Sequence, residues 1–314
     1  MNHPTIALIS HITPDGDAIG SLIGAYYLIK DNLGFEADMI LDDPIPSTYK
    51  FLAGAAQVKR TQDIPSDYIP DVAIALDIHA LHRLGAAAEI FARAKITYRF
   101  DHHESGQSYE KGNLLCPKMS STSELLATVA RRLKWKISVA AATALYTGIY
   151  TDTGRFAFGS TPETFITAAD LIRTGAEYQL VPINLGAIDK DLTLCVANLA
   201  RKIKFYLDGK LAICIARKRD YEKFGVSYEE LKGSPLMGML GAVRGVKVEI
   251  ILYELADGKW HVSMRGKNTP VRPIAESFGG GGHEFAASAR TVTKSPIALA
   301  NKLIKLFAAQ GFAE

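Results

Sequence analysis

The sequence predicts an α/β protein: a mainly parallel sheet covered by helices, a helical connector, and a smaller α+β domain. Three observations carry this. In the first half, short apolar and β-branched runs alternate with stretches whose apolar residues recur at helical spacing. Those short runs are apolar on both faces, as strands buried between helices must be. After residue 205 the pattern changes to strand-rich sequence punctuated by turns. The 314 residues are many for one core, so two domains are expected, with segments at 1–185, 186–205 and 206–314.

"TIALIS" (Thr5 to Ser10) reads as the first strand and runs into a Pro-Asp-Gly turn. From Ala18 to Asp31, Ile19, Leu22, Ile23, Tyr26 and Tyr27 recur with a helical period. "EADMILDD" (Glu36 to Asp43) and "VAIALDI" (Val72 to Ile78) read as strands, and "AKITYRFDHH" (Ala94 to His103) as another that follows a helix. "TSELLATVARRL" (Thr122 to Leu133) and "SVAAATALYTGIYTDTG" (Ser138 to Gly154) carry Ser or Thr at helix-capping positions, and a further helix is predicted from Glu163 to Thr174. One helix from Leu185 to Ile203 has no strand beside it and is read as the connector. "GKLAICIA" (Gly209 to Ala216), "VKVEIILYEL" (Val246 to Leu255) and "KWHVSMRG" (Lys259 to Gly266) are strands, with Asp257-Gly258 as a hairpin turn between the last two. "GGGGH" (Gly279 to His283) interrupts, and "SPIALANKLIKLFAA" closes as an amphipathic helix.

Composition narrows the class. Apolar residues make up 48% and charged residues 22%, with a formal charge of +3, too small for a nucleic-acid coat or a membrane-surface protein but compatible with a local basic groove. The three cysteines, Cys116, Cys195 and Cys214, are odd in number and form no CxxC pair, so reduced thiols and a cytoplasmic location are expected. No basic leader and no run of about 18 apolar residues is present, so no membrane span is expected.

The chemistry concentrates where strands end. The first strand delivers His11, Asp15 and Asp17, a later one Asp77, and the next Asp101, His102 and His103. In open parallel sheets these carboxyl ends form the ligand site, and Asp152, placed just past a helix in a Thr/Gly-rich loop, could return to the same edge. Crowded carboxylates raise one another's pKa and are costly to bury unpaired. Divalent cations remove that cost, and mixed His/Asp ligation without cysteine suits Mn²⁺ or Mg²⁺. So many carboxylates point to two metals sharing a bridging one. The four glycines let a backbone approach an anion closely, and Arg265 and His283 add a phosphate and base site, the guanidinium matching a phosphate bidentately.

Five ordered motifs, "SHITPDGDAIGS", "ALDIHALHRLG", "DHH" at Asp101 to His103, "TGIYTDTGRFAF" and "FGGGGHEFAA", resemble the DHH phosphoesterases with their Gly-rich associated domain, over nearly the whole chain. Within that family the sequence is most similar to the bacterial nano-RNase subgroup, the bifunctional oligoribonucleases and PAP phosphatases. The resemblance implies one Mn²⁺ on His11, Asp15 and Asp77, and a second on Asp17, Asp77, His102 and Asp152, with Mg²⁺ as the alternative ion. His103 would lie beside the scissile phosphate, and Asp101 would orient a ligand imidazole. Arg265, Gly279, Gly280, Gly281, Gly282 and His283 would hold the nucleotide's other end, like a clamp across an interdomain cleft.

The expected activity is hydrolysis of very short RNA and dinucleotides such as pApA, together with 3′-phosphoadenosine 5′-phosphate. Long duplexes and membranes are not expected partners, and a homodimer fits the family. Linear or cyclic dinucleotides are further candidate substrates. Two alternatives stand beside this reading. One is a pyrophosphatase or exopolyphosphatase, to which "ARKRD" (Ala216 to Asp220) bears a superficial likeness; the other is a non-catalytic nucleotide sensor. The chain departs from the subgroup at His79, His82, Ser288 and the Arg99-Phe100 pair, none of which removes a ligand.

Overall fold

A computed structural model describes residues 4–103, 112–255 and 258–311, which fall into two compact units, Met1–Ala187 and Ile188–Glu314. The first contains β1 (Ile6–Ile9), α1 (Gly16–Leu33), β2 (Ala37–Leu41), β3 (Lys59–Arg60), β4 (Val72–Leu76), α2 (Ala87–Arg93), β5 (Ile96–Asp101), β6 (Asn113–Leu115), α3 (Thr122–Arg132), α4 (Val139–Asp152), α5 (Pro162–Arg173) and α6 (Leu180–Gly186). Its sheet runs β3-β2-β1-β4-β5-β6, and every pairing is parallel. Strand order therefore reverses at β1, and the carboxyl ends of β1 and β4 open the crevice that such a reversal creates.

The central strand β1 is buried on both faces, and β2 and β4 largely so, which is why these runs are mainly apolar. Ile6 and Leu8 of β1 pack into the core under α1, α3 and α4, while Ala7 and Ile9 face the opposite core with Ile90 and Phe91 of α2. The α1 and α4 backbones meet at small residues: a Cβ on Gly20 would lie 2.5 Å from the Ala144 carbonyl oxygen. Glycine there lets α4 lie close enough to bring its C-terminal end to the crevice.

The second unit contains α7 (Lys190–Ala200), β7 (Lys204–Tyr206), β8 (Leu211–Ala216), α8 (Lys218–Glu222), α9 (Tyr228–Lys232), α10 (Leu236–Gly241), β9 (Val248–Glu254), β10 (Lys259–Gly266), α11 (Arg272–Glu276), β11 (Gly281–His283), β12 (Ala286–Val292) and α12 (Pro296–Gln310). The sheet order is β11-β12-β10-β9-β8-β7, with only β8–β9 parallel. α11 and α12 cover one face through Ile274, Leu299, Leu303 and Phe307, and α7, α9 and α10 cover part of the other.

The α/β architecture agrees with the sequence reading, and three details differ. The single helix expected over 185–203 is two helices, because residues 187–189 are extended and Asp189 begins a new helix, its carbonyl accepting the Thr193 amide at 2.8 Å. Moreover α7 is no free connector, since Cys195, Val196 and Leu199 are buried in the second unit's core. The four glycines are only partly a loop: Gly281 to His283 form β11, paired with Ala286 to Ser288. Of the predicted hairpin turn, Asp257 lies outside the described residues, but the antiparallel β9–β10 pairing it would join is present.

Candidate active site

The crevice is built from the strand ends upward. Ser10 Oγ donates to the Leu76 carbonyl at 2.8 Å, tying the ends of β1 and β4 together. Asp15 then caps α1, its Oδ1 accepting the amides of Asp17 and Ala18 at 3.1 and 3.0 Å. Asp17 follows in the first turn, buried and facing inward. Asp77, just past β4, has φ of +58°, a left-handed conformation that a non-glycine residue keeps only when its surroundings impose it. Its amide donates to the Phe100 carbonyl at 3.0 Å.

Asp77 is the hub. Its Oδ2 lies 3.5 Å from His11 Nε2 and its Oδ1 3.7 Å from His102 Nε2. His11 Nε2 also lies 3.7 Å from Asp15 Oδ1, and His102 Nε2 lies 3.2 Å from Asp152 Oδ2. Three donor groups close enough to hold an ion result: His11 with Asp15 and Asp77, Asp17 with His102 and Asp152, and Asp77 with His102 and His103. All six residues of the sequence-predicted ligand set thus lie in one cluster. Asp152 is the last residue of α4 and not part of a following loop: the backbone bonding runs on past it, the Thr153 amide still donating to the Ile149 carbonyl at 3.1 Å.

The electrostatics follow from this crowding. Burial together with the charges of Asp77 and Asp152 pushes the Asp17 carboxyl well above the usual carboxylate range. Burial is also the largest cause that lifts Asp152 to about 6, with Asp77 and Asp15 adding to it against His102. Burial would lower His11, but the Asp15 and Asp77 carboxylates beside the ring raise it to about 10. Buried carboxylates at 1% and 3% exposure, facing one another through imidazoles, are a donor set that fits divalent cations. His11 Nδ1 sits 2.9 Å from the Ile12 carbonyl, an orientation that leaves Nε2 toward the carboxylates.

Asp101 differs from its expected role. It accepts from His103 Nδ1 at 2.6 Å and from the amides of His102 and His103, whereas His102 Nδ1 faces the Met119 carbonyl. Asp101 therefore orients His103, not the imidazole grouped with Asp17 and Asp152. Its other oxygen is paired with Arg99, and both side chains are fully buried. Burial alone would raise the Asp101 carboxyl, but His103 and Arg99 hold it down at about 2. The Arg99 that broke the family pattern is the buried counter-charge of this carboxylate.

Sequence reasoning missed the residues that hold the cluster from behind. Asp17 accepts the Thr122 and Ser123 amides at 2.6 and 2.9 Å, and Thr122 Oγ1 donates to Asp77 Oδ1 at 3.2 Å. The signal available was the Ser/Thr-rich run before α3, read only as a cap. A cavity of about 380 Å³ adjoins Asp15 and Asp152 and is lined also by Tyr49, Tyr150 and Arg155.

In the second unit, the sheet face left open beside β9 carries His261, Ser263 and Arg265 at alternate positions of β10, opposite Arg290, Ser288 and Ala286 of β12. With Gly279–Gly282 they line a cavity of about 520 Å³ whose lining includes Lys232 and no carboxylate. His283 is exposed and does not line it. His261 Nδ1 is 2.9 Å from the Tyr228 hydroxyl, and Arg290 bonds the same tyrosine, so the hydroxyl proton points to Nδ1 and the imidazole proton to Nε2. Burial, with Lys232, Arg290 and Arg265 nearby, pushes His261 down to about 4. His261, Tyr228 and Arg290 escaped notice because strand register, not sequence proximity, assembles them.

Fold and site define a hydrolase of phosphoric esters. Residues 5–149 match the DHH family N-terminal domain and residues 221–310 the DHHA1 domain. Two curated relatives have the same extent. The "Probable bifunctional oligoribonuclease and PAP phosphatase NrnA" of Streptococcus mutans is 27% identical over 92% of this chain and 90% of its own. The "Bifunctional oligoribonuclease and PAP phosphatase NrnA" of Bacillus subtilis is 27% identical over 91% and 89%. A crystal structure of an exopolyphosphatase-related protein from Bacteroides fragilis shares the fold, with a TM-score of 0.85 over 98% of this chain and 93% of its own at 23% identity. The chain belongs to the DHH family. Among the described residues, no helix is long and apolar enough to cross a membrane.

Proposed function

We propose that the protein is a two-metal phosphoesterase that hydrolyses very short oligoribonucleotides and dinucleotides such as pApA, and 3′-phosphoadenosine 5′-phosphate. The observation that carries this reading is Asp77, whose two oxygens face His11 and His102 in separate donor groups. His11, Asp15 and Asp77 would hold one cation, and Asp17, Asp77, His102 and Asp152 the other. Mn²⁺ is the ion this mixed set suits best, with Mg²⁺ second. Bound there, such ions supply an acidified water and neutralise charge on the phosphate.

The chain's own residues do the rest. Thr122 and Ser123 fix Asp17 and Asp77, so two buried carboxylates keep their spacing without a ligand. His103 donates its Nδ1 proton to Asp101, which leaves Nε2 to meet the phosphate or pass a proton to the leaving oxygen. Arg155 and Tyr49 line the adjoining cavity, where a guanidinium and a ring suit a nucleotide. In the second unit, Arg265 and the glycines would bind the far nucleotide, with His261 as a fixed donor. The names of the relatives favour this pair of substrates. "ARKRD" does not support the pyrophosphatase reading, because it forms part of a different cavity.

A turnover panel with Mn²⁺ tests the proposal, using pApA, a trinucleotide, a longer oligomer, 3′-phosphoadenosine 5′-phosphate, cyclic di-AMP and pyrophosphate. The dinucleotide and 3′-phosphoadenosine 5′-phosphate should turn over fastest. Faster hydrolysis of pyrophosphate would overturn the reading.

A further inference from the structure

The "ARKRD" segment has no part in either cavity above. It lines a third one, of about 480 Å³, contained wholly within the second unit. The volume falls in the roughly 300–1,000 Å³ range of small-molecule sites. The groove lies where α12 stops short of the edge strand. Lys204 of β7 is registered with Ile213 of β8, so Lys204, Tyr206, Ile213 and Ile215 share one sheet face. Ile297 of α12 borders the same groove and is 59% exposed. The floor is therefore aliphatic and aromatic.

The rim is basic. Arg201, Lys204, Arg217 and Arg219 all line the groove, and none has a carboxylate partner among the described residues. A fifth cation, Lys202, is paired with Asp220 at 2.6 Å, which uses up the one acid of the lining. A lysine on an edge strand is an ordinary guard against strand-to-strand association, and that accounts for Lys204 alone. Arg201 and Lys204 lie just after α7, while Arg217 and Arg219 sit at the start of α8, so two separate chain segments bring like charges to one concavity. Arg201, Lys204 and Arg219 are exposed, so water screens their mutual repulsion, but an anion seated in the groove would meet all four cations. Four uncompensated cations match the charge of a triphosphate, whose phosphates bear about −1.5 to −2 charge each when terminal. Guanidinium forks suit phosphate geometry, and a tyrosine ring over an aliphatic floor suits a base.

We propose that this groove is a binding site for a nucleoside triphosphate, with the phosphates on Arg201, Lys204, Arg217 and Arg219 and the base against Tyr206. It is separate from the cavity of Arg265 and does not depend on the catalytic reading.

Calorimetric titration of the full-length chain tests it. ATP should bind one to one, tripolyphosphate more weakly, and adenosine not measurably. The double variant Arg217→Glu, Arg219→Glu should weaken ATP binding at least about tenfold, while Arg217→Lys, Arg219→Lys stays within about threefold, which separates lost charge from lost folding. Tyr206→Ala should weaken ATP about fivefold and leave tripolyphosphate unchanged. Arg265→Ala should leave ATP binding unchanged, and the charge-reversed variant should hydrolyse a small chromogenic phosphodiester at the wild-type rate. Absence of ATP binding, or ATP binding unaltered by the charge reversal, overturns the proposal. So does a single-stranded ribooligonucleotide that displaces ATP at lower concentration, since the groove would then be an RNA contact. None of these outcomes depends on which substrate the first unit cleaves.

Discussion

His11 and His261 are both nearly inaccessible to solvent, and burial lowers the pKa of each, yet they end at opposite extremes. His11 sits among Asp15 and Asp77 and rises to about 10; His261 sits near Lys232, Arg290 and Arg265 and falls to about 4. The carboxyl edge of the first unit gathers negative charge, and the open sheet face of the second gathers positive charge. Each region carries a charge excess that its own residues do not cancel. The first excess calls for cations and the second for an anion, which is what a metal-dependent enzyme acting on phosphates needs. The polarity of a binding site here follows from which charges the backbone forces together, not from how deeply the histidine is buried.

The largest effect expected on this contrast comes from its hub. Asp77→Asn removes one charge and the carboxylate that faces both His11 and His102. Turnover of pApA should fall by at least about 10³-fold, and the rise in melting temperature on adding Mn²⁺ should be lost. Without metal, the variant should melt close to wild type, because the relieved repulsion with Asp17 offsets the lost attraction to His11. Scanning calorimetry with and without Mn²⁺ checks both halves. Unchanged turnover would end the two-metal reading.

Next comes the buried ion pair behind the centre. Arg99→Met leaves Asp101 with no guanidinium at zero solvent exposure. Breaking a buried pair from one side costs about 3–5 kcal/mol, and a displaced orienting carboxylate costs about 10–100-fold in activity. The expected result is a lower melting temperature together with a drop in kcat for pApA. A fall in stability with kcat intact would mean that Arg99 serves folding alone and that His103 needs no orientation.

How much of this was legible in the sequence depends on distance along the chain. His11, Asp15, Asp17, Asp101, His102 and His103 crowd into two short motifs at strand ends, so their convergence could be read directly. Asp77 was readable for the same reason, but its left-handed backbone was not, since no glycine marks the position. Arg99 stood out only as an oddity, and its meaning required knowing that β5 buries it beside Asp101. The second unit was harder. His261, Ser263 and Arg265 alternate visibly, but Arg290 joins them only through the β10–β12 register, and Tyr228 arrives from α9. The helix drawn from 185 to 203 missed its break because Gly186 and Asp189 are weak punctuation between two apolar stretches.

Arg265 sharpens the contrast from the basic side. Arg265→Ala should raise KM for pApA about 10–100-fold, the worth of one charge-assisted contact, and change KM for a small chromogenic phosphodiester less than about threefold. His283→Ala should have the weaker effect of the two, because His283 stands outside the cavity lining. Steady-state kinetics on both substrates decides this. Equal losses on both substrates would mean that the second unit does not read the nucleotide.

The smallest effect is the titration of His261. Its pKa is about 4 in the folded chain and 6.5 when unfolded, so the unfolded state takes up the proton first as pH falls. The contribution to stability is fully present above pH 6.5, and it is lost progressively between 6.5 and 4. At pH 5.5 the loss amounts to about 1 kcal/mol. His261→Gln should flatten that part of the profile, keeping a hydrogen-bonding group near Tyr228 without the titration. Chemical denaturation of both proteins at pH 7 and pH 5.5 gives the difference in slope, which cancels the other groups that titrate in this window. Identical slopes would mean that burial and the cations around His261 do not hold it neutral. The mirror-image behaviour of the two histidines would then rest on His11 alone.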